Sequence, residues 1–425
     1  MLNGNYTYKW FVLAIFSLSI GGSFALLVGM SRTTFGYSYF PPDYMYHALA
    51  GHVVLAILLW LLSFTVVLWS YYFKSSGYGI TYKLSFAGAL LIALSALLGR
   101  GEAVPNNYVP VIVDPLFFSG LGIFFIGFSI NAFYYLKEAV RNIWTENILL
   151  NTLSASVIIA IIMIASMMHS LMFQRTDSAP LLFYERLFWI PGHIQQILNG
   201  ALLAAVWHAL LRRCGYKENP QPFLGYANLV LVISSALLFL TPFFYDPVER
   251  ASKALSEMIY AIGLGMPIFM HAVNIIISLK RDSKGVAYIS LTLSMAIYFL
   301  GIAIAYSGFG NDLRVPAHYH GAVTSLTLGL MGLSYHLIKE FKQKIVSEGI
   351  ARPQAIIYGV GMLLFILGLF LAGLFGAPRK THGVGFATSP VVLSALTVMG
   401  IGTLLAVAGG VLFVFYTMFS LIRKT

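Results

Sequence analysis

The sequence predicts an all-α membrane protein, a polytopic bundle of about twelve transmembrane helices. Of its 425 residues, 59% are hydrophobic and only 10% are charged, and the mean hydropathy is +0.82. A soluble domain usually carries about 25% charged residues. Apolar stretches long enough to cross a hydrocarbon core of about 30 Å recur from one end of the chain to the other. We therefore expect one integral membrane domain over residues 1–425.

Apolar runs separated by charged or Gly/Pro-rich breaks define the predicted spans. They lie near residues 8–30, 45–73, 82–99, 112–136, 147–173, 183–211, 223–244, 254–279, 286–308, 316–338, 354–376 and 389–421. The sequence shows no internal repeat of the kind found in secondary transporters. Glycines within the spans are accounted for by the close packing of membrane helices.

The basic residues predict which side of the membrane each loop faces. A net charge of +11 would suggest nucleic acid in a soluble protein, but here Lys and Arg occupy short loops between apolar spans, so no nucleic acid is expected. The nine on the side opposite the termini are Arg32, Arg100, Arg175, Arg186, Arg250, Lys253, Arg314, Arg379 and Lys380. The others include the clusters Arg212-Arg213, Lys280-Arg281 and Lys339 to Lys344. This bias places both termini in the cytoplasm, in a bacterial or archaeal plasma membrane or an equivalent one.

Histidine is the residue type that points to a site. Cys214 is the single cysteine, which excludes an internal disulfide and a multi-cysteine metal or iron–sulfur site. Four of the ten histidines lie in the outer part of predicted spans: His52, His193, His318 and His320. A polar side chain within a span is costly unless it is paired or coordinated, so each of these is a functional candidate.

The spacing of His318 and His320 is the most informative feature of this set. Residues i and i+2 of a helix point about 200° apart, so one helix presents imidazole on both of its sides. Two haems flanking that helix would each take one ligand from it, and His52 is the natural second axial ligand of one of them. The alternative is that each imidazole caps a polar group of a neighbouring helix. The remaining histidines are expected at or near the membrane interfaces, where a wetted polar residue is ordinary: His47, His169, His208, His336 and His382.

These segments resemble subunit I of the haem-copper oxidase superfamily, which includes cytochrome c oxidases, quinol oxidases and nitric oxide reductases. VPAHYH at residues 315–320 resembles the His-aromatic-His motif. The resemblance, which covers nearly the whole chain, implies that His318 binds a high-spin, ligand-binding haem and His320 a low-spin haem. AGH, ending at His52, is similar to the segment that supplies the other axial ligand of the low-spin haem. FWIPGH, ending at His193, resembles the segment whose histidine binds copper or non-haem iron.

A loop between the last two spans extends the resemblance. GAPRK at residues 376–380 is similar to the family's loop whose two basic residues pair with haem propionates, which implies that role for Arg379 and Lys380. Two cations above the proposed haems suit carboxylates at that interface.

Departures from the family pattern bear on the second metal and on proton transfer. The family's seventh span carries a His-His pair, whereas this chain reads FLTPFFYDP at residues 239–247, without histidine. Thr241, Pro242 and Phe243 cannot supply imidazole, which argues against copper. The family's cross-linking Tyr falls on Ile197, its proton-route Glu on Gln195 and its channel Lys on His271. The resemblance therefore implies that efficient proton pumping is not expected.

Three functions remain open at this level. The first is a redox enzyme that passes electrons from a low-spin haem to a second haem that binds O2 or NO, with His318 and His193 at the catalytic centre. The resemblance implies a partner subunit carrying cytochrome c or copper. The second is a haem-bearing electron-transfer, gas-sensing or assembly protein without oxidase turnover. The third is a transporter, with His193, His271 and Glu185 along a polar path.

Carboxylates also lie at the outer ends of the sixth and seventh spans. Glu185 precedes Arg186, and Asp246 is followed by Glu249 and Arg250. Ion pairing at the membrane interface is the first interpretation. The second is that Glu185 or Asp246 serves a proton or a metal near the haem.

Overall fold

The computed structural model describes residues 4–39, 41–175, 179–216, 222–279, 285–308, 310–342, 347–387 and 389–422. Within these ranges, twelve helices are long and apolar enough to cross a membrane. They are α1 Gly4–Met30, α2 Pro42–Tyr72, α3 Gly79–Leu98, α4 Pro115–Asn142, α5 Ile148–Met172, α6 Pro180–Arg213, α7 Pro222–Leu240, α8 Arg250–Ser278, α9 Val286–Ala305, α10 Arg314–Lys342, α11 Glu348–Leu374 and α12 Pro390–Ile422. The predicted all-α membrane bundle is thus confirmed.

The helix ends differ from the predicted spans where polar residues continue a helix beyond the apolar run. Helix α4 ends at Asn142 instead of residue 136, and α11 begins at Glu348 instead of residue 354. A helix satisfies its backbone hydrogen bonds at any depth, whereas hydropathy detects only the apolar part. The predicted basic pair Lys280-Arg281 lies outside the described residues, as do positions 343–346 of the cluster that begins at Lys339.

Proline begins several of these helices, where its missing N–H costs no hydrogen bond and its fixed φ suits the first turn. The residues concerned are Pro42, Pro115, Pro180, Pro222 and Pro390. Within a membrane the backbone must satisfy its own hydrogen bonds, so these starts define where each span can begin.

The chain divides into two compact units. The first consists of Met1–Ala14, Leu58–Arg212 and Tyr216–Leu279, and the second of Ile15–Ile57, Arg213–Gly215 and Lys280–Thr425. In the first unit, α3 packs on α4, α4 on α5, α5 on α7, and α7 on α8. In the second, α9 packs on α10, α10 on α11, and α11 on α12.

A short β-hairpin follows α3 in the first unit. Strand β1 (Glu102–Val104) pairs antiparallel with β2 (Val111–Val113). Between the strands, the buried amide of Asn106 accepts hydrogen bonds from the backbone N–H groups of Tyr108 (3.2 Å) and Val109 (3.1 Å). The sequence had indicated only a break between spans here, because strands of three residues give no periodic signal.

Candidate haem and metal sites

Two of the candidate imidazoles lie on α10, in the second unit. His318 Nδ1 donates to the carbonyl of Gly301 on α9 at 2.9 Å, and His320 Nδ1 donates to the carbonyl of Pro316 at 2.7 Å. Since a carbonyl can only accept, each ring carries its hydrogen on Nδ1 and keeps a lone pair on Nε2. This is the arrangement of metal-ligating histidines, whose second ring nitrogen is held by a carbonyl or carboxylate.

The contact between α9 and α10 depends on glycine. A Cβ at Gly301 or at Gly321 would clash with the backbone of the facing helix. The two helices therefore approach closely enough for the carbonyl of Gly301 to reach His318.

His52 on α2 has the same hydrogen-bond pattern. Its Nδ1 donates to the carbonyl of Gly21 on α1 at 3.0 Å. A Cβ at Gly21 would clash with Ala56, so the close approach of α1 to α2 again depends on glycine. A π-helical segment, Val53–Leu59, begins directly after His52. Such segments are rare and often occur at functional sites.

His52 and His320 are neighbours in the second unit, close enough to interact electrostatically. Both rings are half-buried, and neither Nε2 has a hydrogen-bond partner among the described residues. The ring of Phe365 on α11 lies edge-on to His320, with centroids 4.9 Å apart. Two imidazoles with available Nε2 atoms and an aromatic neighbour form a donor set that suits haem iron.

Basic residues gather around Tyr319, which stands between the two histidines of α10. Tyr319 interacts electrostatically with Arg32 and Arg379. Arg379 Nε donates to Asn311 Oδ1 at 3.0 Å, and the Tyr46 hydroxyl donates to the carbonyl of Lys380 at 3.2 Å. The structure thus brings Arg379 and Lys380 into the same unit and region as His320.

Arg32 is a member of this cluster that the sequence analysis had assigned only to membrane topology. Its Nε donates to the carbonyl of Thr381 at 2.7 Å, and the Gly383 N–H donates to the Ser31 carbonyl at 3.0 Å. Burial lowers the pKa of Arg32, with Tyr319 acting in the opposite direction. In the described part of the chain this half-buried cation forms no ion pair. A cation without a carboxylate partner fits the acidic groups of haem.

His193 on α6, in the first unit, differs from these three histidines. Its Nδ1 donates to the carbonyl of Trp189 at 2.8 Å, and its Nε2 lies 3.0 Å from the hydroxyl of Tyr108. Burial raises the pKa of Tyr108 well above its usual range, and nearby carboxylates such as Glu257 contribute to the shift. Tyr108 is therefore a neutral O–H donor, and the nitrogen that a metal would need is already hydrogen-bonded.

In the described part of the chain, no cluster of metal ligands includes His193. Thr241, Pro242 and Phe243 form a short 3-10 helix after α7, and the Thr241 hydroxyl donates to the carbonyl of Leu238 at 2.8 Å. Among the described residues, no group of three or more His, Cys, Asp or Glu side chains could hold a metal ion. The residues present do not fit copper, whereas those of the second unit fit haem.

A buried polar network links three other helices of the first unit. His208 Nε2 on α6 lies 3.0 Å from His271 Nδ1 on α8, and His271 Nε2 lies 3.1 Å from Asn228 Oδ1 on α7. Asn228 Nδ2 donates to Asn151 Oδ1 (2.6 Å) and Thr152 Oγ1 (2.9 Å) on α5. The position that the resemblance assigned to a channel lysine thus holds a hydrogen-bonded imidazole.

Between His193 and His208, α6 packs closely on α8. Gly200 lies between His193 and His208 in the helix, and a Cβ at Gly200 would meet Leu264 and Ile268 of α8. Leu264 and Ile268 are both buried. The two helices therefore approach each other closely at Gly200.

Glu185 and Asp246 are paired with basic residues. Glu185 lies 3.2 Å from Lys253 Nζ, and Asp246 lies 3.0 Å from Arg186 Nε and 3.3 Å from Arg175. Burial acts to raise the pKa of Asp246, but the hydrogen bonds from Arg186 outweigh it and the pKa is lowered. Both carboxylates thus have the ion-pairing role that was the first interpretation from sequence.

Comparison with known proteins agrees with this architecture. The chain has 36% identity over 333 residues with an uncharacterised protein of Aquifex aeolicus, covering 78% of this chain and 84% of the relative. An uncharacterised protein of Rickettsia prowazekii is 27% identical, with 97% and 95% covered. The cytochrome c oxidase subunit 1 of Thermus thermophilus is 25% identical over 228 residues, covering 46% of this chain and 40% of that protein.

A solved structure and a family profile define the class. The structure of a heme-copper terminal oxidase dimer superposes with a TM-score of 0.77 at 17% identity, covering 99% of this chain and 85% of the other. It shows the fold: an oxidase-type bundle of membrane helices. The profile described as "Cytochrome C and Quinol oxidase polypeptide I" matches residues 5–412. The chain belongs to this family. It is an integral membrane protein, and family membership supports a haem-binding redox role.

Proposed function

We propose that this chain binds two haems, through His52 and His320 for a six-coordinate low-spin haem and through His318 for a second haem that binds O2 or NO. The haems would supply one-electron chemistry and an open coordination position for the gas. The protein residues hold and orient the ligating rings and exclude water. The whole chain, residues 1–425, would act as one membrane domain with both termini in the cytoplasm.

One observation carries this proposal: three imidazoles on α2 and α10 all donate Nδ1–H to backbone carbonyls. The acceptors are Gly21, Gly301 and Pro316, at 3.0, 2.9 and 2.7 Å. This fixes the tautomer and leaves Nε2 as the ligating atom of each ring.

The basic cluster supports the same assignment. Arg32, Arg379 and Lys380 would bind haem carboxylates, in the region of Tyr319. Arg32 and Arg379 offer planar donors for carboxylates, and Lys380 offers a point charge. In a bacterial or archaeal plasma membrane, electrons would come from a partner subunit with cytochrome c or copper.

The test is a count of haem combined with optical spectra of the purified protein. A pyridine haemochrome assay should give haem at two per chain, and the reduced protein should show a six-coordinate component and a CO-sensitive component. His318→Ala should remove the CO-sensitive component only. His169→Ala, which changes a histidine of α5, is the matched control. Haem-free protein, or CO binding that survives in His318→Ala, would contradict the assignment.

A second candidate function is favoured by the hydrogen bond between Tyr108 and His193. A haem protein without a second metal could transfer electrons, sense a gas or assist assembly without oxidase turnover. Steady consumption of O2 or NO with an artificial reductant would support the enzyme, and its absence in haem-loaded protein would support the second candidate.

A further inference from the structure

The metal-binding nitrogen of His193 is occupied within the protein itself. Since Nδ1 donates to the Trp189 carbonyl at 2.8 Å, the ring hydrogen is on Nδ1 and Nε2 can only accept. The Tyr108 hydroxyl, 3.0 Å away, is therefore the donor to Nε2. An imidazole Nε2 has one lone pair, so it cannot accept this hydrogen bond and bind a metal ion at once.

Tyr108 is held in place from several directions. The side chain of Asn106 fixes the hairpin turn through the backbone N–H groups of Tyr108 and Val109. The Tyr108 ring packs directly against Gly192, where a Cβ would clash with it. It also lies edge-on to Trp189, with centroids 5.7 Å apart. These contacts position the hydroxyl for His193 and depend on a glycine immediately before that histidine.

Charged and aromatic side chains surround the pair. Lys253 Nζ lies 4.7 Å above the Trp189 ring, and its ion pair with Glu185 spans 3.2 Å. Asn107 Nδ2 also donates to Glu185, at 2.8 Å. Glu185 is thus already bound by a lysine and an amide, and Glu257 is a second carboxylate near Tyr108. Tyr260, whose ring lies edge-on to His193 at 5.7 Å, adds an aromatic wall to the same region.

We propose that Tyr108 replaces the second metal centre of this family by capping His193, so that this position is a metal-free phenol–imidazole pair. The pair offers a positioned O–H donor in place of a Lewis acid. This inference goes beyond haem binding and does not depend on it, because the His193 and Tyr108 contacts lie within the first unit.

Metal analysis tests the first half of the proposal. Wild-type protein and His193→Ala are purified from cells grown with added copper, zinc and iron, and metals are counted by mass spectrometry beside haem. We expect copper, zinc and non-haem iron in the wild type to be no higher than in His193→Ala. About one such metal per chain in the wild type, lost in His193→Ala, would overturn the proposal whether or not haem is present.

Vibrational spectroscopy tests the second half. In protein with ring-labelled tyrosine, the difference infrared spectrum between wild type and Tyr108→Phe isolates the C–O stretch of Tyr108. We expect this band to shift in His193→Phe, because the phenol loses its acceptor, and to stay in Tyr260→Phe, which removes a neighbouring hydroxyl that does not bond His193. An unshifted band in His193→Phe protein that retains the wild-type thermal midpoint would overturn the pairing.

Discussion

His52 Nδ1 donates to the carbonyl of Gly21 at 3.0 Å, so a residue of α1 orients the proposed haem ligand of α2. His47 lies on the same helix, and its Nδ1 faces the carbonyl of Asp43 at 3.3 Å. We expect His52→Ala to abolish the six-coordinate low-spin spectrum, because one axial ligand is lost. His47→Ala should retain it. Low-temperature electron paramagnetic resonance measures the low-spin haem signal in both variants. A low-spin signal of wild-type intensity in His52→Ala would rule out His52 as the ligand.

Arg32 should contribute to haem retention. A hydrogen bond to a charged group contributes about 1.5–3 kcal/mol, and each 1.4 kcal/mol corresponds to about a tenfold change. Arg32→Met should therefore speed haem transfer to apomyoglobin by about 10- to 100-fold. It should also lower the midpoint potential, since a nearby cation stabilises the reduced iron. The control is Arg141→Met, which removes an exposed cation of α4. Equal transfer rates in the two variants would exclude Arg32 from the site.

The ion pair between Asp312 and Arg314 predicts acid sensitivity of the loop that precedes α10. Arg314 donates to Asp312 from Nε at 3.0 Å and from Nη2 at 2.7 Å, and these hydrogen bonds hold the pKa of Asp312 below its usual range. The carboxyl of Asp312 therefore has a lower pKa in the folded protein than in the unfolded chain, where it is about 4. The pair stabilises the folded state above that pH, and the stabilisation is lost as the pH falls through the folded pKa. The Leu313 N–H, which donates to Ala377 at 3.0 Å, connects this pair to the loop of Arg379.

We therefore expect the unfolding temperature of the wild type to decrease as the pH drops below about 4. The unfolding temperature of Asp312→Asn should depend less on pH over that range. Differential scanning fluorimetry from pH 3 to 7 measures this. Glu138→Gln, which changes an acidic residue of α4, should keep the wild-type slope. Parallel curves for the wild type and Asp312→Asn would refute the contribution of this carboxylate.

The network of His208, His271 and Asn228 should matter for stability. His271→Leu leaves Asn228 Oδ1 and His208 Nε2 without their present partners, and an unsatisfied buried polar group costs about 1–3 kcal/mol. Ile275→Val removes one methylene from the next turn of α8 and should cost about 0.5–1.5 kcal/mol. Thermal unfolding in detergent should thus show the larger loss for His271→Leu. An equal or smaller loss would mean that the network contributes no net stability.

Sequence predicted the spans because apolar length is a local property, read from composition alone. It also selected His52, His318 and His320, since an intramembrane histidine is rare and costly. Arg32 was assigned to topology because a cation after a span has the same sequence signal whether it faces water or a cofactor. Its contact with Thr381 joins residues 349 positions apart in the sequence, which no local pattern encodes.

Tyr108 was missed for a related reason. Its hydroxyl reaches a histidine 85 positions away, from a turn of a hairpin too short to predict. The local signals were only turn residues, Pro105, Asn106 and Asn107. The missing His-His pair of α7 indicated a problem with copper ligation, but it could not show that the hydroxyl of Tyr108 lies next to His193.

The proposed orientation can be tested without adding a label site, because Cys214 is the single cysteine of the chain. It follows directly on α6, which ends at Arg213 in the predicted cytoplasmic cluster. A membrane-impermeant maleimide should label Cys214 in inside-out vesicles and not in intact spheroplasts.

The control for access from outside is Tyr39→Cys in a Cys214→Ser background, since Tyr39 is 79% exposed just before α2. This variant should be labelled in spheroplasts only. If Cys214 were labelled in intact spheroplasts, the distribution of Lys and Arg would have been misread, and His52, His318 and His320 would lie near the cytoplasmic face. Electrons would then have to arrive from a cytoplasmic donor instead of an external cytochrome c or copper subunit.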